Sequence, residues 1–367
     1  MKIATLTFHG AHNYGSMLQA YALQTFVRKI IAETGRSCEY KILNYRSDIQ
    51  KQLYSPVPGT GSVAAIKGFL YSFYKNQLDA QRQKFEDFMV YQLNTTEEFS
   101  NSAELPHITR DYDCLLSGSD QVWNIRAQDF DFSYLFEGCN QRKMSYAASL
   151  GPLQIDWSKY DKTRFLEAIR GFDCISVREE KSKKMLAEVY PGVDAQVHVD
   201  PTLLLDRQEW RQIQSDMNYR DGEYILFYCL EPDRRHIRIA QMLSKKSGLP
   251  VVATRYRNKY DYFNPFVKLY DAGPLDFLSL VDHASIVLTS SFHGTAFSLI
   301  YGKPFIAIDG MKDGRISNIL RLANAKCNAI SLDASRIDSM PLPMDVDMWI
   351  SEEREKSKQY LLKSLIG

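Results

Sequence analysis

The 367-residue chain lacks an excess of charge of either sign: 45 Lys and Arg stand against 44 Asp and Glu, a formal net charge of +1. That balance gives no electrostatic footprint for nucleic acid, which is excluded as a partner. Paired cysteines are lacking too. The six, at 38, 114, 139, 174, 229 and 327, are scattered with no Cys-x-x-Cys. No metal site follows from them, and the expected location is reduced and cytoplasmic. Cys114, Cys174 and Cys229 fall inside apolar runs and read as buried small residues. HExxH and GxSxG are absent, which removes zinc peptidases and the common serine hydrolases. Low-complexity segments and short-period repeats are also missing. The opening MKIATLTF lacks the longer apolar core and cleavage site of a secretory leader and reads as a first strand. Residues 283–302 carry no Asp, Glu, Lys or Arg, but their four Ser, two Thr, two His and two Gly exclude a membrane span.

What is present is a globular composition, 45% hydrophobic and 24% charged, on a chain long enough for two domains. The 22 Tyr and 19 Phe suit stacking on sugar rings and equally suit an ordinary core. Short β-rich runs alternate with helical spacing. Strands are expected at 3–8, 38–44, 113–117, 143–147, 173–177 and 196–199, with helices at 16–31, about 65–92 and 179–189. A second series follows HVDPTLLLDRQEW, where Asp200-Pro201 turns the chain and Asp206 suits a helix N-cap. Its strands are expected at 224–229, 250–253, 285–289 and 304–308, with helices near 233–246, 274–283 and 294–301. The reading is α/β, two Rossmann-like doubly wound domains facing across a cleft. The first spans 1–206, completed by a charged C-terminal helix at 346–367, and the second spans 207–345.

Phe-His-Gly occurs twice, at 8–10 and 292–294, each time at the end of an expected strand. The second copy leads into a helix of about two turns, so His293 sits at a helix N-terminus, where N–H groups attract anions and an imidazole can deliver a proton near neutral pH. Gly294 there would let a phosphate or carboxylate approach the backbone. The alternative is a His held by a carbonyl at a loop edge. Arg178 follows a strand and suits a bidentate anion contact, although pairing with Glu179 or Glu180 is the commoner role of a lone Arg. Ser117-Gly118-Ser119 form a small-residue loop, after which Asp120, Trp123 and Asn124 supply a carboxylate, a stacking face and an amide. The competing roles are an N-cap for Asp120 and an inter-domain plug for Trp123. The first Phe-His-Gly opens a loop holding His12, Asn13 and Tyr14, with Asn13 and Ser16 as helix caps and His9 and His12 as structural or substrate-touching groups. That loop is neither GxGxxG nor a Walker A motif. Residues 67–85 mix Lys with four aromatics in the first nine positions. A lid or a membrane-surface contact would use such a segment, and a helix packed on its own domain is the commoner explanation.

NYGSMLQAYALQ, SGSDQVWN, SYAASLG, SVREEKS, VDPTLLLD and SFHGTAFSLIYGKPFIAI occur in this order between residues 13 and 308. Together they resemble the polysaccharide pyruvyl transferase family. The resemblance implies a glycosyltransferase-B-like pair of Rossmann-like domains. It also implies transfer of a pyruvyl group from phosphoenolpyruvate onto two hydroxyls of a sugar or lipid-linked glycan, for capsule, cell wall or exopolysaccharide. Phosphoenolpyruvate is then a co-substrate, with no cofactor or metal required. On this reading His293 is the general acid and Arg178 the leading donor contact. Ser291, Gly294, Lys303 and Arg315 are further donor-binding candidates, and His12, Asn13, Tyr14, Asp120, Trp123 and Asn124 would meet the acceptor. The protein would be cytoplasmic, with a peripheral contact at the inner face of the membrane, and 46–62 would be an ordered loop or a lid. The sequence leaves the oligomeric state open. Many family members carry R-x-H-G, whereas Ser291 stands in the arginine's place here. Either Arg315, Lys303 or Lys312 replaces it, or this branch uses another donor. The alternatives are a nucleotide-sugar-dependent glycosyltransferase of the same fold and a non-catalytic glycan-binding protein.

Overall fold

The structure, a computed structural model, describes residues 1–54, 68–69, 71–255 and 259–367. The chain folds as two units. The first comprises the described part of Met1–Ser55 with Met89–Leu205 and Ile350–Gly367. The second comprises the described part of Pro56–Phe88 with Asp206–Trp349.

In the first unit, β1 (Lys2–Leu6), β2 (Glu39–Ile42), β3 (Cys114–Ser117) and β4 (Arg142–Ser145) form a parallel sheet in the order β2-β1-β3-β4. Backbone bonds from Ser145 N to Cys174 O (3.0 Å) and from Ala148 N to Ser176 O (3.1 Å) carry it on to β5 (Ile175–Val177) and β6 (Ala195–Val197). All four residues of β3 are buried, as a strand covered on both faces requires. Leu6, Leu115, Trp123, Tyr134, Phe165 and Val177 belong to the core. The helix Tyr14–Glu33 follows β1, with Asn13 as its N-cap. The C-terminal helix Asp347–Ile366 is tied to the first unit, where Arg354 donates to Leu203 O and Leu205 O (both 2.7 Å) and Tyr360 Oη to Ser145 O (2.9 Å).

In the second unit, β7 (Ile225–Tyr228), β8 (Val251–Ala253), β9 (Val267–Lys268), β10 (Ile286–Thr289), β11 (Phe305–Ile308) and β12 (Ala329–Ile330) form one parallel sheet in the order β12-β11-β10-β7-β8-β9. Helices Arg234–Ser247, Pro274–His283, Phe292–Ile300 and Gly314–Leu322 make the crossovers. The expected cap at Asp206 forms as a capping box with Glu209.

Two details differ from expectation. The described part of 56–88, expected in the first domain, groups with the second unit, and the helix Lys75–Gln92 begins there. There Gln81 donates to Thr254 O (3.1 Å) and Ala272 O (2.9 Å), and Lys84 to Asp276 (2.8 Å). Cys174 is half-buried rather than buried, because it precedes β5 instead of lying inside it. The segment expected to be a loop or lid, 46–62, contributes the short helix Asp48–Leu53, and its remainder from residue 55 lies outside the described residues.

Candidate functional site

A parallel sheet leaves a crevice beyond its strand C-termini where neighbouring strands send their crossovers in opposite directions. In the first unit that point lies between β1 and β3, and in the second between β7 and β10.

At the first, the β1–helix loop and the loop after β3 are stitched together. Thr7 Oγ1 donates to Ser119 O (3.0 Å), Gln19 Nε2 to Thr7 Oγ1 (2.8 Å), and Ser16 Oγ to Asp120 Oδ2 (2.7 Å). Gly118 is needed here, since a Cβ would stand 2.9 Å from Thr7 Cβ. Asp120 takes a left-handed conformation (φ 72°), uncommon for a residue with a side chain and concentrated at functional sites. Behind it lies a buried ion cluster. Arg178 Nη1 donates to Asp200 Oδ2 (2.8 Å), with Glu179 Oε2 at 3.5 Å and Asp120 Oδ1 at 3.7 Å. Burial opposes the charge on Arg178, but Asp200, Asp120 and Glu179 outweigh it and hold the guanidinium above its ordinary value. Asp200 also accepts from Ser119 Oγ (3.1 Å) and Thr202 Oγ1 (2.9 Å), and Glu179 accepts from Ser149 Oγ (2.7 Å) and Ser182 Oγ. Of the three carboxylates, Asp120 is the most exposed, its side chain at 10%.

Arg178, expected to contact the donor, has a side chain only 2% exposed, bonded to Asp200 and close to Glu179 and Asp120. Trp123 offers no stacking face. It is fully buried in the core, donates from Nε1 to Ser117 Oγ (2.9 Å), and meets Phe172 edge-on. Asn124 is buried and holds Gln121 Oε1 (3.0 Å), and Tyr14 is buried in the first helical turn. His12 and Asn13 are half-buried in the loop, and Asn13 Oδ1 accepts from Gly15 N (3.0 Å). His9 is a core residue with Nδ1 3.1 Å from Thr7 O and Nε2 3.0 Å from Asn44 Oδ1, and burial lowers its pKa.

At the second switch point, β10 ends at Thr289 and the helix Phe292–Ile300 starts at once, placing His293 in its first turn. Ser291 is the N-cap residue but its side chain makes no capping bond. Ser290 Oγ accepts from Leu230 N (3.3 Å) at the end of β7, so the two strand ends meet here. Gly294 serves packing rather than ligand approach: a Cβ would fall 2.2 Å from Thr289 Oγ1 and 3.1 Å from Tyr228 Cδ1, on the sheet side. Lys303 is also corrected. It follows the C-terminus of a helix about 13 Å long, at the opposite edge of the sheet from His293, and donates to Asp282 O (2.7 Å). Arg315 lies on the correct edge but is held by Asp313 through Nε (3.1 Å) and Nη2 (2.7 Å). Lys312 pairs with Asp309 (3.1 Å).

Sequence reasoning passed over Asp200, seen only as a turn signal, and Glu179, seen only as a partner for Arg178. Their signal was the run VDPTLLLD and the pair Arg178-Glu179. Among the described residues, no group of three or more His, Cys, Asp and Glu is placed to hold a metal ion, and no helix is long and apolar enough to cross a membrane.

Comparison with known proteins supplies the family. The family model described as polysaccharide pyruvyl transferase matches residues 13–310. No curated protein matches the chain. Among solved structures, the chain is similar to a UDP-N-acetylglucosamine 2-epimerase from Rickettsia bellii (TM-score 0.51, 10% identity, covering 100% of this chain and 99% of that one). It is similar to the UDP-GlcNAc 2-epimerase of Methanocaldococcus jannaschii in complex with UDP-GlcNAc and UDP (TM-score 0.50, 12% identity, covering 99% and 100%). An E. coli heptosyltransferase with ADP also matches (TM-score 0.43, 12% identity, covering 96% and 100%). At these identities the likeness shows the fold, which is glycosyltransferase-B-like.

Proposed function

The chain belongs to the polysaccharide pyruvyl transferase family, and from that premise we propose that it transfers the enolpyruvyl-derived group of phosphoenolpyruvate onto two hydroxyls of a glycan or glycan precursor. The product is a pyruvate ketal in a surface polysaccharide. The observation that carries this reading is His293, at the start of a helix on the switch point of the second unit.

The chemistry requires a proton donor. The methylene carbon of the enol takes a proton from His293, C2 gains cationic character, and an acceptor hydroxyl bonds to C2 while losing its own proton. Phosphate leaves with the electron pair of its C–O bond, and the second hydroxyl bonds to C2 and closes the ring, its proton passing to the departing phosphate. General acid catalysis of this kind contributes about 10²- to 10⁴-fold. The helix dipole at Phe292–Ile300 favours the negative groups of the donor. On the first unit taken by itself, Asp120, the least buried acid of its cluster, is the group that suits a sugar hydroxyl, and His12 is half-buried in the loop before Tyr14. Ser16 and Arg178 hold Asp120 in place. Phe69 and Phe73 stand 65% and 66% exposed and support the peripheral membrane contact as part of this reading.

Incubation with phosphoenolpyruvate and a panel of simple and lipid-linked glycosides, following phosphate release and pyruvyl mass gain, tests the proposal. His293→Ala should lose at least 10²-fold in turnover with an unchanged unfolding midpoint. Near-normal turnover in that variant would remove the general-acid role. Stabilisation by nucleotide sugars with none by phosphoenolpyruvate would replace the donor.

A further inference from the structure

The anionic donor of the proposed reaction needs a cation near His293, and Lys303, Arg315 and Lys312 are each committed elsewhere. A different residue occupies that ground. β8 runs beside β7 with Phe227 opposite Ala253, so the chain two residues on brings Arg255 level with Cys229. On the other side, Thr289 lies opposite Tyr228, so Ser290 is also level with Cys229. Two strand spacings then separate Arg255 from Ser290, about 10 Å across the end of β7. His293 is three residues beyond Ser290, in the first turn of its helix.

Three features single out Arg255. It is half-buried, and its Nε is buried with no hydrogen-bond partner. Among the described residues no carboxylate pairs with it, unlike Arg315, Lys312 and Arg235. It also stands level with Cys229, the residue that faces Ser290 across the strand end. A buried guanidinium nitrogen without an acceptor is costly in the free protein. A bound phosphate or carboxylate supplies the acceptor, and the planar fork suits both groups.

We propose that Arg255 is the anion-binding cation of the second unit's switch point, donating to the phosphate or carboxylate of the substrate that His293 protonates. This rests on the reading above for the identity of that substrate, but not for the presence of an anion.

The test uses the full chain as wild type, Arg255→Gln, Arg255→Lys, and Arg255→Gln combined with Ser291→Arg. Phosphoenolpyruvate, inorganic phosphate and UDP-GlcNAc serve as probes in calorimetry, with steady-state turnover measured alongside. Arg255→Gln should weaken binding of the preferred probe by about 10- to 100-fold. KM should rise by the same factor with kcat nearly unchanged, and the unfolding midpoint should stay put. Arg255→Lys should lie between, and Ser291→Arg should recover at least part of the loss by returning a guanidinium from the other side of β7. If the wild type prefers UDP-GlcNAc to phosphoenolpyruvate and Arg255→Gln loses that binding, the donor reading fails while the Arg255 site stands. Unchanged affinity in Arg255→Gln overturns the Arg255 site and leaves the donor reading intact. A wild type that binds none of the three probes overturns the site as well.

Discussion

Removing Arg178 separates two roles that sequence alone left open, a contact for the donor and a counter-ion for buried acids. In Arg178→Met, Asp200, Glu179 and Asp120 lose a guanidinium that stands 2.8, 3.5 and 3.7 Å away. Breaking a buried pair by deleting one partner costs about 3–5 kcal/mol, because a charge is left without compensation. An upper bound follows from protonation. An orphaned Asp can take up a proton, and doing so at pH 7 from a reference pKa near 3.9 costs about 4 kcal/mol. Asp200 still keeps bonds from Ser119 and Thr202, so the loss should settle at about 3–5 kcal/mol at pH 7.

The pH dependence gives the sharper signature. In the variant the orphaned acids have folded-state pKa values raised above their unfolded ones. Their folded state then binds more protons, and its stability falls as pH rises. The deficit against wild type should therefore be larger at pH 8 than at pH 5, where protonation costs only about 1.5 kcal/mol. Because the chain has two units, an unfolding midpoint registers a loss without showing which unit suffers it. Hydrogen exchange resolves them: amides of β3, β4 and β5 should lose about 10²- to 10⁴-fold in protection, with those of β7 and β10 unchanged. Full protection in the first unit, together with a large loss of phosphoenolpyruvate affinity, would refute the counter-ion account and return Arg178 to the donor.

Two further outcomes follow from the same geometry. Gly294→Ala should destabilise the second unit by about 1–3 kcal/mol, since the new methyl falls within 2.2 Å of Thr289 Oγ1 and 3.1 Å of Tyr228 Cδ1; a urea midpoint equal to wild type would show the helix free to move off β10. His198, stacked on Tyr146 and tilted against Tyr360, is lowered to about 4 by burial and, secondarily, by Lys356. The neutral ring is the folded form, so its contribution is complete above the unfolded pKa of about 6.5 and is lost progressively towards pH 4, up to about 3 kcal/mol. Urea unfolding of His198→Gln should show a shallower decline between pH 6.5 and 4 than wild type, and parallel profiles would refute the assignment.

The strands were legible because a parallel sheet writes its interior as short, nearly continuous apolar runs, as CLLS, ILFY and IVLT show. The helices expected around 233–246 and 274–283 form as Arg234–Ser247 and Pro274–His283. The site was less so. Trp123 and Asn124 stand beside Asp120 in SGSDQVWN, yet a tight turn with Asp120 at positive φ sends the indole into the core and leaves the carboxylate at the crevice. No linear pattern separates those fates. Arg178, likewise, is surrounded by acids from distant positions 120 and 200, which only the sheet order brings together. Lys303 was misplaced for a simpler reason: ten residues from His293 in sequence, it lies one helix length away, on the far edge.

The twin Phe-His-Gly segments show the same limit from the other side. Both follow a parallel strand at a switch point, and both precede a helix. After β1, the chain makes a loop of several residues before Tyr14, which leaves His9 behind in the core with both ring nitrogens on Thr7 and Asn44. After β10 there is no such loop. The helix begins at Phe292 itself, so the identical His293 rides on the first turn, where a helix concentrates its exposed N–H groups. The number of residues between strand and helix, rather than the tripeptide, therefore decides which histidine stays in the loop behind the helix and which is carried on its first turn.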